Sequence, residues 1–585
     1  MKRNKTLAVV AGFALAGSLA ACGGDGGDDN AGDGPSKFIE AGSGFEKIAD
    51  ATGPAPEVEG SQVGGDITVH IPLDPGPENL DPTDGWSVLG NSIQQALTHR
   101  SLTQYRRNAE SGDMELVPDL ATDLGTPNDD YTEWKFTIRD DATWENGKPI
   151  TAEEIKFGIE RSFDVENFPG TPGQEYSVKN IDCGEGYTGP YSSKPADCSG
   201  ITVDGQDITI KMTRPFPDMD FWGSFMAMGP IPLEGSEPPA YGAKPLSNGP
   251  YKIQEFRPNE TLVLAKNPEW KPESDPGRHQ YADTWTFKFD ADQEKVDAIL
   301  LSDSAESQTA VSNRVGATNV SKAKDALGDN FIQQTGQCVS YLAPDYTKIT
   351  DIKIRKAIAY AFDYENIWLA GGQVPNVTRI PASTIMPPGM SGRKEYQPDG
   401  EQFTFDPEKA KSLLKEAGAE GYKLSFIYDD SAPELVDANA QQVKGFEAAG
   451  FDVEAIAYQE DAYELFGNKT SPINKKLNLR TVNWCSDWPS AYTMIPPLVT
   501  KGSQYNTAFF DEQEVQDRID EIPTLPLEEQ AGAWGDLDEM IGTEYLPIIP
   551  TAYRNDLFGA GSKIGGFTGD AAMSAINYKD LYVVK

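Results

Sequence analysis

Histidine is nearly missing from this chain: His70, His99 and His279 are the only three in 585 residues. A Ser–His–Asp site would need one of them well placed. His70 lies in a strand-like ITVHIP, His99 is read onto a helix and His279 into a polar loop, so each reads as structural or solvated. Absent too are a Gly-x-Ser-x-Gly elbow, a His-Glu-x-x-His pair, a GxxxxGK[ST] phosphate loop and a dinucleotide fingerprint between strand and helix. Carboxylates are plentiful enough for some pair to mimic a glycosidase, but the sequence singles out none. These absences argue against an enzyme and give no reason to expect a cofactor. With no Cys-x-x-Cys pair, they give none to expect a metal site either. Basic residues are also in deficit, 50 against 91 acidic, for a net charge of −41. That balance argues against nucleic-acid binding, which needs a basic footprint.

Long apolar runs are missing after the N-terminus, where Leu7 to Ala21 follows the positive Lys2, Arg3 and Lys5. This run is short of the roughly 20 residues of a membrane span and reads as the core of an export signal, residues 1–21. The following Leu19-Ala-Ala-Cys22 looks like a bacterial lipoprotein cleavage site, which implies that Cys22 carries lipid. Residues 22–60, rich in Gly, Asp, Ala and Pro, read as a flexible tether, because they hold too little apolar surface to offset their ordering entropy. The expected location is the extracytoplasmic face of a cell membrane, or the periplasmic space of a double-membraned cell. More than 500 residues then remain, too many for one core, so two or three domains are expected.

Cysteine is sparse but even in number once Cys22 is set aside: Cys183, Cys198, Cys338 and Cys485. In an exported chain this points to disulfides. Of three possible connectivities, the favoured one joins Cys183 to Cys198 across a Gly/Pro/Ser-rich loop and Cys338 to Cys485 across distant segments.

What is present is a mixed α and β pattern. Trp134, Phe136 and Ile138 alternate as in a half-buried strand, and Asp204-Gly205 marks a hairpin. Thr151 and Glu154 form a capping box ahead of Ile155, Ile159 and Phe163 on one helical face. Asp406-Pro407 opens another helix, which Gly418 closes. Strand, helix and strand follow between Tyr422 and Tyr458, a βαβ unit.

Several segments resemble the extracellular solute-binding proteins of ABC importers, family 5 (the peptide/nickel importer family), and among them the oligopeptide-binding lipoproteins. They include Asn79-Leu-Asp-Pro82, Leu116-Val-Pro-Asp-Leu-Ala121, WKFTIRDDATWENGKPITAEEIKFGIERS, Ser247-Asn-Gly-Pro-Tyr-Lys252, LVLAKNPEW, IKIRKAIAYAFD, FDPEKAKSLLKEAG and the C-terminal GGFTGDAAMSAINYKDLYVVK. The resemblance implies an α/β fold of two lobes, periplasmic-binding-protein-like (type II, cluster C), with an extra small domain inserted in lobe one. Lobe one is then 61–97, 231–336 and 554–585, the insert 98–230, and lobe two 337–553.

It also implies a site. Arg480-Thr-Val-Asn-Trp484-Cys485-Ser-Asp487-Trp488 matches a family stretch on a strand edging the cleft. There the aspartate, here Asp487, holds the α-ammonium group of a peptide, and the cysteine, here Cys485, is bridged to one like Cys338. A free N-terminus is common to all peptides, so a carboxylate that pairs with it recognises the class without reading side chains. Trp484 is a further candidate, while Trp86 and Val88 belong to a matching segment on the opposite lobe. Tyr176 of the insert is expected to cover the cleft, and Tyr505 and Asn506 lie in another matching segment. Trp488-Pro-Ser departs from the Tyr-then-Pro order of the family, and Arg480 is one position away from where a basic partner for the ligand carboxylate would fall. The expected function is capture of short peptides, about three to five residues long, paired partly as an added strand. The peptide then passes to ABC permease subunits in the membrane, and the binding protein is expected to be a monomer. Oligosaccharide binding in the same fold is the alternative.

Overall fold

The computed structural model describes residues 37–39, 46–191, 197–460, 462–468 and 470–585. The expected signal peptide and Cys22 lie outside the described residues. The rest is mixed α/β, organised by one ten-stranded sheet. Its order runs Lys37–Ile39, Phe331–Pro344, Ile549–Ala560, Ala310–Ser312, Asp66–Pro72, Thr284–Ala291, Thr261–Lys266, Tyr251–Arg257. Leu479–Cys485 and Arg379–Pro381 branch from the two long strands: the first pairs with Phe331–Pro344, the second with Ile549–Ala560.

Phe331–Pro344 and Ile549–Ala560 run antiparallel through two separate cores. Ile332 and Phe558 belong to a core with Ile67, Val69, Trp285 and Phe287. Val339, Tyr341 and Tyr553 belong to another with Trp484, Met494 and Trp534. Between the two, the ladder joining the long strands is interrupted from Thr335 to Val339. Two strands with a broken ladder are a soft connection compared with the packed bodies on either side.

A third core fills 102–228: Trp134, Phe136, Ile155, Ile159, Trp222 and Met228, with Trp488 inserted from far along the chain. This region is fixed to the first core by buried charges. Arg161 donates to both carboxylate oxygens of Asp81 at 2.7 Å. Arg100 and Arg278 clasp Asp119 at 2.6 and 2.8 Å, and Arg278 also pairs with Asp275 at 3.1 Å.

The local signals were good ones. Thr151 and Glu154 cap each other's backbone at the start of Ala152–Arg161, and Asp406 caps Pro407–Glu416 before Gly418 turns with φ +64°. Lys423–Tyr428 and Asp452–Ala457 pair in parallel around the helix Pro433–Ala448. The hairpin is one residue off. Asp204 pairs with Asp207, so Gly205 (φ +65°) and Gln206 form the turn.

Two expectations need correction. His99 is not on a helix: Val88–Leu97 ends before it, and the Thr98 and His99 N–H groups both close back on the Gln94 carbonyl. Nor are residues 46–60 a free tether. Lys47 pairs with Asp220 at 2.6 Å over the Phe221 ring. Val58 N–H donates to the Tyr281 hydroxyl, and the Glu59 carbonyl accepts from Tyr582. Composition signalled weak self-association, but this segment gains its order from the body it lies on. Among the described residues, no helix is long and apolar enough to cross a membrane.

Candidate functional site

Asp487 is held by its neighbours on both sides. Before it, Leu479–Cys485 lies antiparallel to Phe331–Pro344 in a register that sets Cys485 opposite Cys338, and the two are bonded. Ser486 extends the pairing, donating its N–H to the Gln337 carbonyl at 2.9 Å. After it, Trp488 is fully buried in the third core, donating its indole N–H to Asp218 at 2.8 Å and packing 4.5 Å from Tyr176. Trp488 is thus a core anchor. A strand end on one side and a buried indole on the other leave the Asp487 backbone little freedom.

The carboxylate between them is half-buried. The Tyr176 hydroxyl, from the helix Pro172–Asn180, donates to it, and Trp86 bonds to the same group from a third segment. Burial pushes the Asp487 carboxyl up to about 7, and the nearby Glu175 charge pushes the same way. The Tyr176 and Trp86 bonds oppose both. Among the described residues, those that bond to it are the neutral donors Tyr176 and Trp86, and the charge acting on it is that of Glu175. A carboxylate so placed favours any ligand that brings a positive charge with N–H donors.

Aromatic rings surround it. Tyr505 packs 4.7 Å from Trp484 and edge-on to Trp86 at 5.7 Å. Trp484 is buried and spends its indole N–H on the Thr493 carbonyl at 2.7 Å, so it forms the floor and leaves no donor for a ligand. Asp487, Tyr176, Trp86, Tyr505, Trp484 and the Cys485 bridge therefore converge.

Two expected residues fall elsewhere, and Arg480, one position from where a basic partner would fall, is committed to the core. Val88 opens the helix Val88–Leu97 and lines a cavity shared with Arg379 and Arg554. The Asn506 amide is committed to its own loop, donating to the Thr500 and Phe510 carbonyls and accepting from Phe510 N–H. Arg480 shares its strand face with Val482 and Trp484, two-residue alternation carrying it into the core. There it pairs with Asp345 at 3.4 Å and with Asn474 at 3.0 Å. It cannot receive a ligand carboxylate.

Cys183 and Cys198 are bonded, completing the favoured connectivity. The histidines lie away from this site. Burial holds His70 and His99 down to about 4, hence neutral. At His279 burial lowers the value, but bonding to Asp580 outweighs it and raises it. Sequence reasoning missed Glu175, whose charge acts on Asp487. It carries no local signal, because it matters through a neighbour remote in the chain.

Comparison with known proteins agrees with this architecture. The model of the bacterial extracellular solute-binding proteins, family 5, matches residues 115–506. The chain is 23% identical to the probable D,D-dipeptide-binding periplasmic protein DdpA of Escherichia coli over 61% of its own length and 64% of that protein's, so it spans under two thirds of that relative. It is 23% identical to the oligopeptide-binding protein OppA of Bacillus subtilis over 84% and 88%. Among solved structures, the clavulanic acid biosynthesis oligopeptide binding protein 2 superposes with a TM-score of 0.79 at 21% identity, covering 92% of this chain and 99% of that one. DppA of Helicobacter pylori, solved with the peptide STSA, gives 0.70 at 17% identity, covering 90% and 99%. With two thirds of its length matched by the family model and the two-lobed fold shared, the chain belongs to the bacterial extracellular solute-binding proteins of family 5.

Proposed function

We propose that this protein is the substrate-binding lipoprotein of an ABC importer, capturing short peptides between two lobes and passing them to a membrane permease. The observation that carries the reading is the Asp487 carboxylate, lifted to about 7 by burial and bonded only to neutral donors. A peptide's α-ammonium supplies both the missing charge and the donors. The lobes are assigned as 61–97, 231–336 and 554–585 against 337–553, with 98–230 inserted, and closure turns on the interrupted ladder at Thr335–Val339. An anchor at Cys22 would hold the protein, as a monomer, on the extracytoplasmic face of the membrane.

The test is thermal unfolding of protein freed of co-purified ligand by unfolding and refolding. It compares a pool of peptides of about three to five residues, the same pool N-acetylated, and a pool of oligosaccharides. Ligand at 100 times its Kd stabilises the fold by about 2.7 kcal/mol. Free peptides are expected to raise the midpoint and acetylated ones to leave it unchanged. A shift with oligosaccharides alone would overturn the peptide reading.

A further inference from the structure

Residues 55–59 cover a cavity of about 300 Å³, walled by Arg106 and Arg107 on one side and by Gly277, His279 and Asp580 on the other. The covering segment is fixed at both ends. Ile48 N–H donates to the Leu116 carbonyl at 2.9 Å, and Gly64 N–H to the Tyr281 carbonyl at 2.8 Å. Its middle is held by side chains of the body. Val58 N–H donates to the Tyr281 hydroxyl at 3.3 Å, the Tyr582 hydroxyl donates to the Glu59 carbonyl at 3.1 Å, and His279 Nε2 lies 3.0 Å from the Pro56 carbonyl.

His279 stacks on the Tyr281 ring at 4.7 Å. Its Nδ1 faces two further oxygens, the Lys579 carbonyl at 3.2 Å and an Asp580 carboxylate oxygen at 3.3 Å. Both ring nitrogens thus meet acceptors. An imidazolium satisfies them with two N–H donors, whereas the neutral ring has one. The neutral ring keeps its proton on Nδ1, where the charged Asp580 accepts it, and turns the Nε2 lone pair on the Pro56 carbonyl. Loss of the proton therefore weakens the contact with the covering segment and spares the other. Burial lowers the His279 value, but the bonds to Asp580, Pro56 and Lys579 outweigh it and raise it. Lifting the segment exchanges the Pro56 carbonyl for water, so the lifted form titrates lower. The hold is then full at acid pH and is lost as pH rises through the raised value. Other charges surround the ring. Glu57 and Glu59 lie on the segment and Arg106 and Arg107 across the cavity, while Arg278 turns inward to Asp119 and Asp275. Lys579, pulled down to about 8 by burial, bonds to Gln104 and Tyr105 and not to the segment.

We propose that residues 54–60 form a lid over this cavity, latched by protonated His279 through the Pro56 carbonyl and released when that proton is lost. The latch does not depend on peptide capture at Asp487.

Histidine labelled at Cε1 gives three NMR resonances, one per histidine. That of His279 is expected to titrate near neutrality, apart from His70 and His99, which are held down to about 4. Hydrogen exchange from about pH 6 to 9, divided by the intrinsic rate at each pH, reads the lid in the same samples. Corrected exchange of residues 54–60 is expected to rise by up to about tenfold per pH unit, the limit for one proton, and to level off above the His279 midpoint. His279→Phe keeps a ring on Tyr281 and loses the bonds, so its lid should exchange at the high-pH level throughout. Exchange at Lys47, outside the lid, should be alike in both proteins. A flat corrected profile in wild type would overturn the proposal whether or not the variant folds, as would a His279 resonance that does not titrate over this range. A pH-dependent profile that persists in His279→Phe would overturn it too, and would point to Lys579.

Discussion

At Asp487 the folded environment favours the protonated acid. An aspartate in an unfolded chain titrates near 3.9, and here burial raises the value to about 7. The sign follows from proton uptake: the native state holds the proton over the window from about 4 to 7. This group's contribution to the stability of the unliganded protein therefore falls as pH rises through that window and is level above it. Binding of an ammonium runs the other way, because it needs the ionised form. Peptide affinity is expected to weaken towards tenfold per unit as pH drops below about 7. It should weaken again above about 8 as the peptide's own amine loses its proton. Calorimetry across pH 5 to 9 checks this, and a flat profile would remove Asp487 from ligand contact. Asp487→Asn is expected to cost roughly 100-fold or more in peptide affinity, the scale of an ammonium left buried and unpaired. The unliganded midpoint at pH 8 should hold or rise. Unchanged affinity in the variant would refute the assignment. Asp487 was legible in the sequence through the Trp-Cys-x-Asp string alone, a resemblance and not a derivation. Glu175 was illegible, because its meaning comes from Asp487, far along the chain and near only once the chain folds.

Elements show the same division. The capping box at Thr151, the Asp406-Pro407 start and the Pro433–Ala448 crossover were readable because each is decided within a few residues of chain. Membership of the ten-stranded sheet was not. Arg379–Pro381 is three residues long and joins it only because Ile549–Ala560 offers an edge. Trp488 follows the site aspartate in sequence, and only the far side of the fold puts its ring in the core. The Cys183–Cys198 bridge is local in the same sense, closing a loop with a sequence separation of 15. The entropy of such a loop corresponds to about 3 kcal/mol. Replacing both cysteines by serine should lower stability by up to that amount while leaving peptide affinity within about twofold, the scatter of a site not directly touched. Denaturant unfolding and calorimetry on the same sample separate the two effects. A large loss of affinity would show that this loop shapes the cleft.

On the scale of the whole molecule, the third core is fixed to one side and leans on the other. Arg161 with Asp81, and Arg100 and Arg278 with Asp119, tie it to the first core through pairs that are nearly or fully buried. Asp81→Asn would leave Arg161 buried with half its partner gone, costing about 3–5 kcal/mol on the precedent of broken buried pairs. A clear fall in the melting midpoint is expected even without ligand. Towards the Asp487 side the contacts are of another kind: the Tyr176 hydroxyl on a carboxylate, the Trp488 indole N–H on Asp218, Arg214 on the Tyr492 hydroxyl, and aromatic faces around Trp488. Bodies joined by two strands with an interrupted ladder, and held together elsewhere by a few polar bonds and ring contacts, are suited to open and close. Tyr176→Phe keeps the ring against Trp488 and Trp222 and removes only the hydroxyl. If that hydroxyl holds the proposed lobes together, the variant without peptide should show a larger radius of gyration by small-angle scattering than wild type. Saturating peptide should bring the two back to a common value, because ligand contacts on both lobes replace the lost bond. Identical radii for both proteins, with and without peptide, would mean that this contact does not govern closure.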